Sequence, residues 1–246
     1  MKTLLRIASG VAALLVPALA TAQEANSALR ASVVCAPGMP SDAGDAPRIV
    51  GVQDTQTKSL FGTRDLLIIN GGTDKGLQLG QKYASRRIVS SKVSGSGWDA
   101  QVTSGLLTIV AVNERSAIAS VDFACDGIER GDYLVAWTPP AIPPNADRTD
   151  AGGELDFSSP ARVLFGDYGR STAGTGDLVV IDLGQEDEVV PGARFAVYRD
   201  LQTGGIPLAA IGEAVVISVT EGSSVVRLTR TIDAIQTGDL LIPRKR

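Results

Sequence analysis

Gly72 and Gly80 bracket a short run whose counterpart lies between Gly184 and Gly192. Glycines spaced this closely can line a loop whose backbone N–H groups cradle phosphate. Such loops end in Gly-Lys-Ser/Thr and lead into a helix. Here that ending is missing, and apolar, β-branched runs flank both spans. The four glycines therefore read as turn formers. Gly131-Asp132 and Gly238-Asp239 place a carboxylate at two matching points. A general acid needs a second carboxylate and an apolar pocket beside it, and no neighbouring residue offers one. An aspartate after glycine is more simply a turn residue that bonds backbone amides. The chain has no histidine, so the commonest general base and metal ligand is missing, and no serine or cysteine can be paired with one. Ser90-Ser91-Lys92 would suit a serine–lysine arrangement but lies in a polar hairpin. Glu186-Asp187-Glu188 lacks the alternating spacing of a calcium loop. The expectation is a protein without catalytic residues, metal or cofactor, and a hydrolase or lyase is its least supported reading.

Contact residues remain. Trp98 sits in a Gly/Ser-rich tip (residues 94–99). Its indole either tucks back onto the fold, the favoured reading, or stands out as a contact anchor. Tyr168, in Gly166-Asp167-Tyr168-Gly169-Arg170, is the second candidate anchor. The two cysteines, Cys35 and Cys125, are expected to bridge if the chain folds outside the cytoplasm.

These residues hang on a duplicated framework. Residues 65–87 align without a gap on residues 177–199 with seven of 23 positions identical, and residues 105–135 on 212–242 with nine of 31 identical. The order is the same in both copies, so the chain holds two versions of one folded unit. Each version reads as short strands rich in valine and isoleucine, separated by Gly, Asp and Asn. About six such strands per copy cannot hide their edges as a flat sheet, and closure into a small barrel resolves this. The predicted organisation is an N-terminal segment (residues 23–47), repeat 1 (48–138), a linker (139–160) with five prolines, and repeat 2 (161–246). Within the N-terminal segment, residues 31–35 (ASVVC) read as a strand, and the final Arg-Lys-Arg reads as a solvated tail. Cys35 has no counterpart in repeat 2, so a bridge would fasten the N-terminal segment onto the first barrel.

Residues 1–22 read as a secretory signal: Lys2 and Arg6, an apolar run from Ile7 to Val16, and Ala20 and Ala22 before the expected cleavage. No run is long enough to span a bilayer as a helix, which takes roughly 20 apolar residues. The remainder carries 21 basic against 27 acidic residues, a net charge of −6, which disfavours nucleic acid as a partner. The expected location is the bacterial periplasm.

Repeat 1 carries the full turn Asn70, Gly72, Gly76, Leu77, Gly80, and both copies close on Ile-x-x-Gly-Asp. This pattern resembles the SH3-like β-barrel unit in the C-terminal domain of flagellar assembly protein T, and of LysM-associated bacterial envelope proteins. Repeat 2 departs from it at Glu188 and Pro191 but keeps Gly212-Glu213. The resemblance implies an all-β fold of two tandem small SH3-like barrels and a non-catalytic role in envelope or flagellar assembly. Docking would run through loops or by strand addition at a barrel edge. No LysM motif is present; the alternative is a peptidoglycan-binding protein.

Overall fold

The computed structural model describes residues 29–54, 58–139, 141–202 and 207–245; the expected export signal, residues 1–22, lies outside them. The fold is all-β. The first half holds β1 (Ile49–Val52), β2 (Leu60–Phe61), β3 (Leu66–Ile69), β4 (Lys82–Val89), β5 (Ala100–Val112), β6 (Ala117–Ala124), β7 (Ile128–Glu129) and β8 (Tyr133–Ala136). The second holds β9 (Glu154–Leu155), β10 (Ala161–Gly166), β11 (Thr172–Ala173), β12 (Leu178–Ile181), β13 (Arg194–Arg199), β14 (Ala209–Val219), β15 (Ser224–Thr231), β16 (Ile235–Gln236) and β17 (Leu240–Lys245).

The first sheet runs β1-β3-β6-β5-β4-β8, and the second β10-β12-β15-β14-β13-β17, strand for strand the same order. In the second half β10 pairs back onto β17, which closes a six-strand barrel. The first half curls as a half-barrel whose end strands meet at an Arg48–Tyr133 bridge and at the hydrogen bond from Ile49 N–H to Asp132 O (2.9 Å). The short pairs β2–β7 and β11–β16 also correspond. So do the register breaks: Ser85/Arg86 in β4 matches Val197/Tyr198 in β13, and Ile109/Ala111 in β5 matches Val216/Ser218 in β14. Bulges bend strands, and a sheet of six short strands needs such bends to roll up.

Alternation of apolar residues fills both interiors. Leu67, Ile69, Leu107 and Ile109 are fully buried in the first, and Val179, Ile181, Val216 and Leu228 in the second. A third cluster lies outside both. Leu178 and Val180 of β12, Val215 and Ile217 of β14, and Phe165 of β10 point away from the barrel interior, yet are buried. Leu29 and Val33, Ala100 from β5, and Ala146 cover them.

That covering corrects one expectation. Residues 31–35 are not a strand: residues 29–34 are helical. Leu29 and Val33 stand four apart on one helical face, 3% and 6% exposed against the outer wall of the second barrel. Tertiary burial outweighs the β preference of Val33-Val34. The following chain is extended, and Gly38 exchanges two 2.9 Å backbone hydrogen bonds with Gln101. The Cys35–Cys125 disulfide is present, with Cα atoms 5.5 Å apart. It joins this segment to the end of the β6 turn, so the segment touches both halves.

Residues 141–160 lie along the second barrel. Ile142 and Ala146 pack into the third cluster, Arg194 donates to the carbonyls of Asn145 (2.7 Å) and Arg148, and β9 pairs with β17. That pairing also carries Arg244 and Lys245 into a strand, with Lys245 on Asp156 at 2.6 Å, so the expected solvated tail is ordered through residue 245.

Candidate functional site

The hairpin between β4 and β5 is built from local hydrogen bonds. Ser90 Oγ accepts from Lys92 N–H (3.3 Å) and caps the helical turn Ser91–Ser94, while Asp99 Oδ1 accepts from Ser91 N–H (2.7 Å). Gly95 and Gly97 take φ of 74° and 85°, and between them Ser96 turns inward. Its Oγ accepts from Trp98 N–H (3.2 Å) and donates to Trp98 O (2.9 Å). Ser96 occupies the inner side of the tip at 6% exposed, while Trp98 is 45% exposed. At 45% exposure Trp98 is partly open to solvent, more than a ring tucked wholly onto the fold would leave.

Tyr168 has the opposite fate. In the turn Asp167–Gly169, at φ 58°, its hydroxyl donates to Cys125 O of the other half (2.7 Å), and the Arg170 guanidinium lies 5.4 Å from its ring centre. A tyrosine so engaged ties the two halves together and is not a free anchor. Beside it, burial pushes Asp167 up to about 6, with the Asp177 charge adding to the shift; the Leu178 N–H and Arg170 oppose it. The unfolded carboxyl titrates near 3.8. The folded chain thus holds more proton between these values, so stability falls as pH rises through that window and the penalty is complete above about pH 6. Asp167→Asn should stabilise the protein at pH 7 by on the order of 1–3 kcal/mol, and do nothing below pH 4. Urea unfolding at pH 4 and pH 7 checks this, and an equal effect at both would refute it.

The Gly-Asp turns form a buried polar arrangement that is present twice. Gly131 and Gly238 take φ of 98° and 91°. Asp132 Oδ2 accepts from Glu129 N–H (3.1 Å), Ser104 Oγ (2.6 Å) and Arg87 Nη1 (3.2 Å). Asp239 Oδ2 accepts from Gln236 N–H (2.7 Å), and both of its oxygens are gripped by Arg199, from Nε (2.9 Å) and Nη2 (2.7 Å). Each arginine also reaches the carbonyl of the preceding loop, Gly127 (3.0 Å) or Ala234 (2.6 Å). The aspartates are 2% and 6% exposed. Both oxygens of each carboxylate are held within the turn, so these groups close the last turn onto β4 or β13. Sequence reasoning found the aspartates and missed the arginines. The signal was there: Arg87 and Arg199 are the identical last residues of the first aligned block.

The glycine turns are equally structural. A Cβ on Gly72 would lie 2.0 Å from Asn113 O, and one on Gly184 2.2 Å from Glu221 O, so the facing hairpin backbone requires glycine at both. Gly80 and Gly192 close the turns by donating to Ile109 O (2.8 Å) and Val216 O (2.9 Å). Their N–H groups are spent on the facing hairpins. Among the described residues no three His, Cys, Asp or Glu side chains converge as around a metal, and no helix is long and apolar enough to cross a membrane. The candidate site is thus the Trp98 hairpin, a hydrogen-bonded tip that carries a partly exposed tryptophan. No protein-family model matches the sequence, and a search of curated proteins finds no match.

Proposed function

We propose that the chain is an exported, non-catalytic binding module of the bacterial cell envelope. In this reading it consists of two tandem SH3-like barrels joined by a proline-rich linker, and it docks onto an envelope protein complex of the flagellar or surface-assembly kind. Trp98 is the observation that carries the reading: a tryptophan 45% exposed on a hydrogen-bonded tip, in the insertion that repeat 2 lacks. Exposed tryptophans on fixed backbone are the usual centres of protein contacts, because a large ring is buried there at small entropic cost. The matching strand order of the two halves supports the tandem-barrel reading, and the Cys35–Cys125 bridge is compatible with an oxidising compartment.

Trp98→Ala is expected to change unfolding stability by less than about 0.5 kcal/mol, since the ring is largely outside the core. It should weaken partner capture at least tenfold, as truncation of a central aromatic anchor does. In-cell crosslinking of wild type and variant, followed by identification of the adducts, measures this. The same adducts at the same yield would refute the assignment. Pelleting with purified peptidoglycan sacculi separates the wall-binding alternative. Sugar-binding faces generally use more than one aromatic platform, and with Tyr168 engaged between the halves, protein is expected to stay in the supernatant.

A further inference from the structure

A cleft of about 800 Å3 opens where residues 33–41, the first half-barrel and the Glu221–Ser223 turn of the second barrel meet. Arg86 lines it. The residue is half-buried, and its Nε is out of reach of water and makes no hydrogen bond among the described residues. Burial lowers its pKa, and the Tyr133 hydroxyl is the one other group acting on it. Arg87, next in sequence, has Asp126, Glu129 and Asp132 about it; Arg86 has none of them. A desolvated guanidinium without a carboxylate is unfavourable, and folds do not accumulate such groups without cause.

The framework does not demand arginine here. The register break before this position is repeated in the second copy, where Tyr198 takes its place and packs edge-on against Phe157 with ring centres 5.6 Å apart. One copy satisfies the outward-facing position with a second ring. The other leaves a charge facing a cleft. The adjoining wall offers donors as well. Gln101 is 7% exposed, and its Oε1 already accepts from Ser41 Oγ (2.7 Å) and Tyr133 Oη (2.9 Å), so its free capacity is the NH2 group. Met39, Trp137 and Val225 supply apolar surface around these donors. Glu221 lies in the same lining without pairing with Arg86.

We propose that this cleft is a binding site for a carboxylate, gripped by the Arg86 guanidinium and the Gln101 amide. A planar, two-oxygen acceptor matches the arginine fork, and the apolar surround strengthens the pair. The carboxylate comes from a free organic acid or from the side chain of an acidic peptide; both present the same group to Arg86. The site is separate from the Trp98 hairpin, so its test stands apart from the proposal above.

Trp137 provides the readout. In a Trp98→Phe background it is the sole tryptophan. Its fluorescence is followed while the full chain is titrated with succinate, with acetyl-Ala-Glu-Ala-amide and with the glutamine version of that peptide. A saturable change with succinate or with the glutamate peptide supports the proposal, and which of them responds identifies the source. The glutamine peptide should bind at least tenfold more weakly, the loss expected for a charge-assisted hydrogen bond. Arg86→Met should abolish the response while raising the unliganded Tm by about 2–4 °C, because an uncompensated buried charge is removed. That rise separates lost binding from lost folding. Silence toward both carboxylates, an equal response to glutamate and glutamine, or a response that survives Arg86→Met would overturn the proposal. So would a response that emerges only in Glu221→Gln, since the native cleft would then be filled by its own glutamate.

Discussion

The double substitution Cys35→Ser/Cys125→Ser is expected to lower unfolding stability by up to about 4–5 kcal/mol, the chain-entropy value for a bridge between residues 90 apart. The bridge limits the unfolded chain, and it also holds a folded contact that neither repeat makes alone. Cys35 follows directly on the helical residues whose Leu29 and Val33 lie on the second barrel, while Cys125 belongs to the first half. Opening the bridge frees that segment from one of its two supports. Guanidinium unfolding of the wild type with and without reductant, beside the serine variant, measures the effect. Limited proteolysis should then cut first before residue 48. A midpoint unchanged by reduction would show that packing by Leu29 and Val33 is sufficient without the covalent link.

Asp239→Ala is expected to cost about 3 kcal/mol, near the lower end of the range for breaking a buried charge pair. The loss has two sources: the Arg199 fork loses both acceptor oxygens, and the Gln236 N–H loses its partner. The lower end applies because Arg199 keeps Asp233 at 2.9 Å and its side chain is 18% exposed, so water and a second acid temper the orphaned charge. Removing both members should cost less than the sum of the single losses, so a double-mutant cycle with Arg199→Met isolates the coupling. Additive losses would mean that the pair does not act as a unit. Asp132→Ala, whose arginine contacts come from one nitrogen, Arg87 Nη1, at 3.2 and 3.4 Å beside a serine at 2.6 Å, should show the smaller arginine coupling of the two.

Much of the framework is legible from pattern alone. The bounds of β4 and β13 coincide with the runs Lys82–Val89 and Arg194–Arg199 because turn glycines mark their starts and polar loops their ends. The small pairs β2–β7 and β11–β16 escape such a reading, since two residues are too few to show alternation. Residues 29–34 were illegible for another reason: their helical state depends on an apolar wall more than 130 residues away in sequence, and no local window contains it. Trp98 illustrates a third limit. Whether Ser96 or the indole turns inward is set by hydrogen bonds within a six-residue tip, and both outcomes fit the same letters. The charge of Arg86 is visible in the sequence, but its lack of a counter-ion is a property of three converging segments.

The two halves share a strand order but differ in what covers their outer faces. In β12 all four residues are buried, so this strand has no solvent side, and its outer wall is roofed by the N-terminal helical residues, by Ala146 of the linker and by Ala100 of the first copy. Made by itself, the second copy would show water a sticky flank, so its solubility rests on segments outside its own barrel.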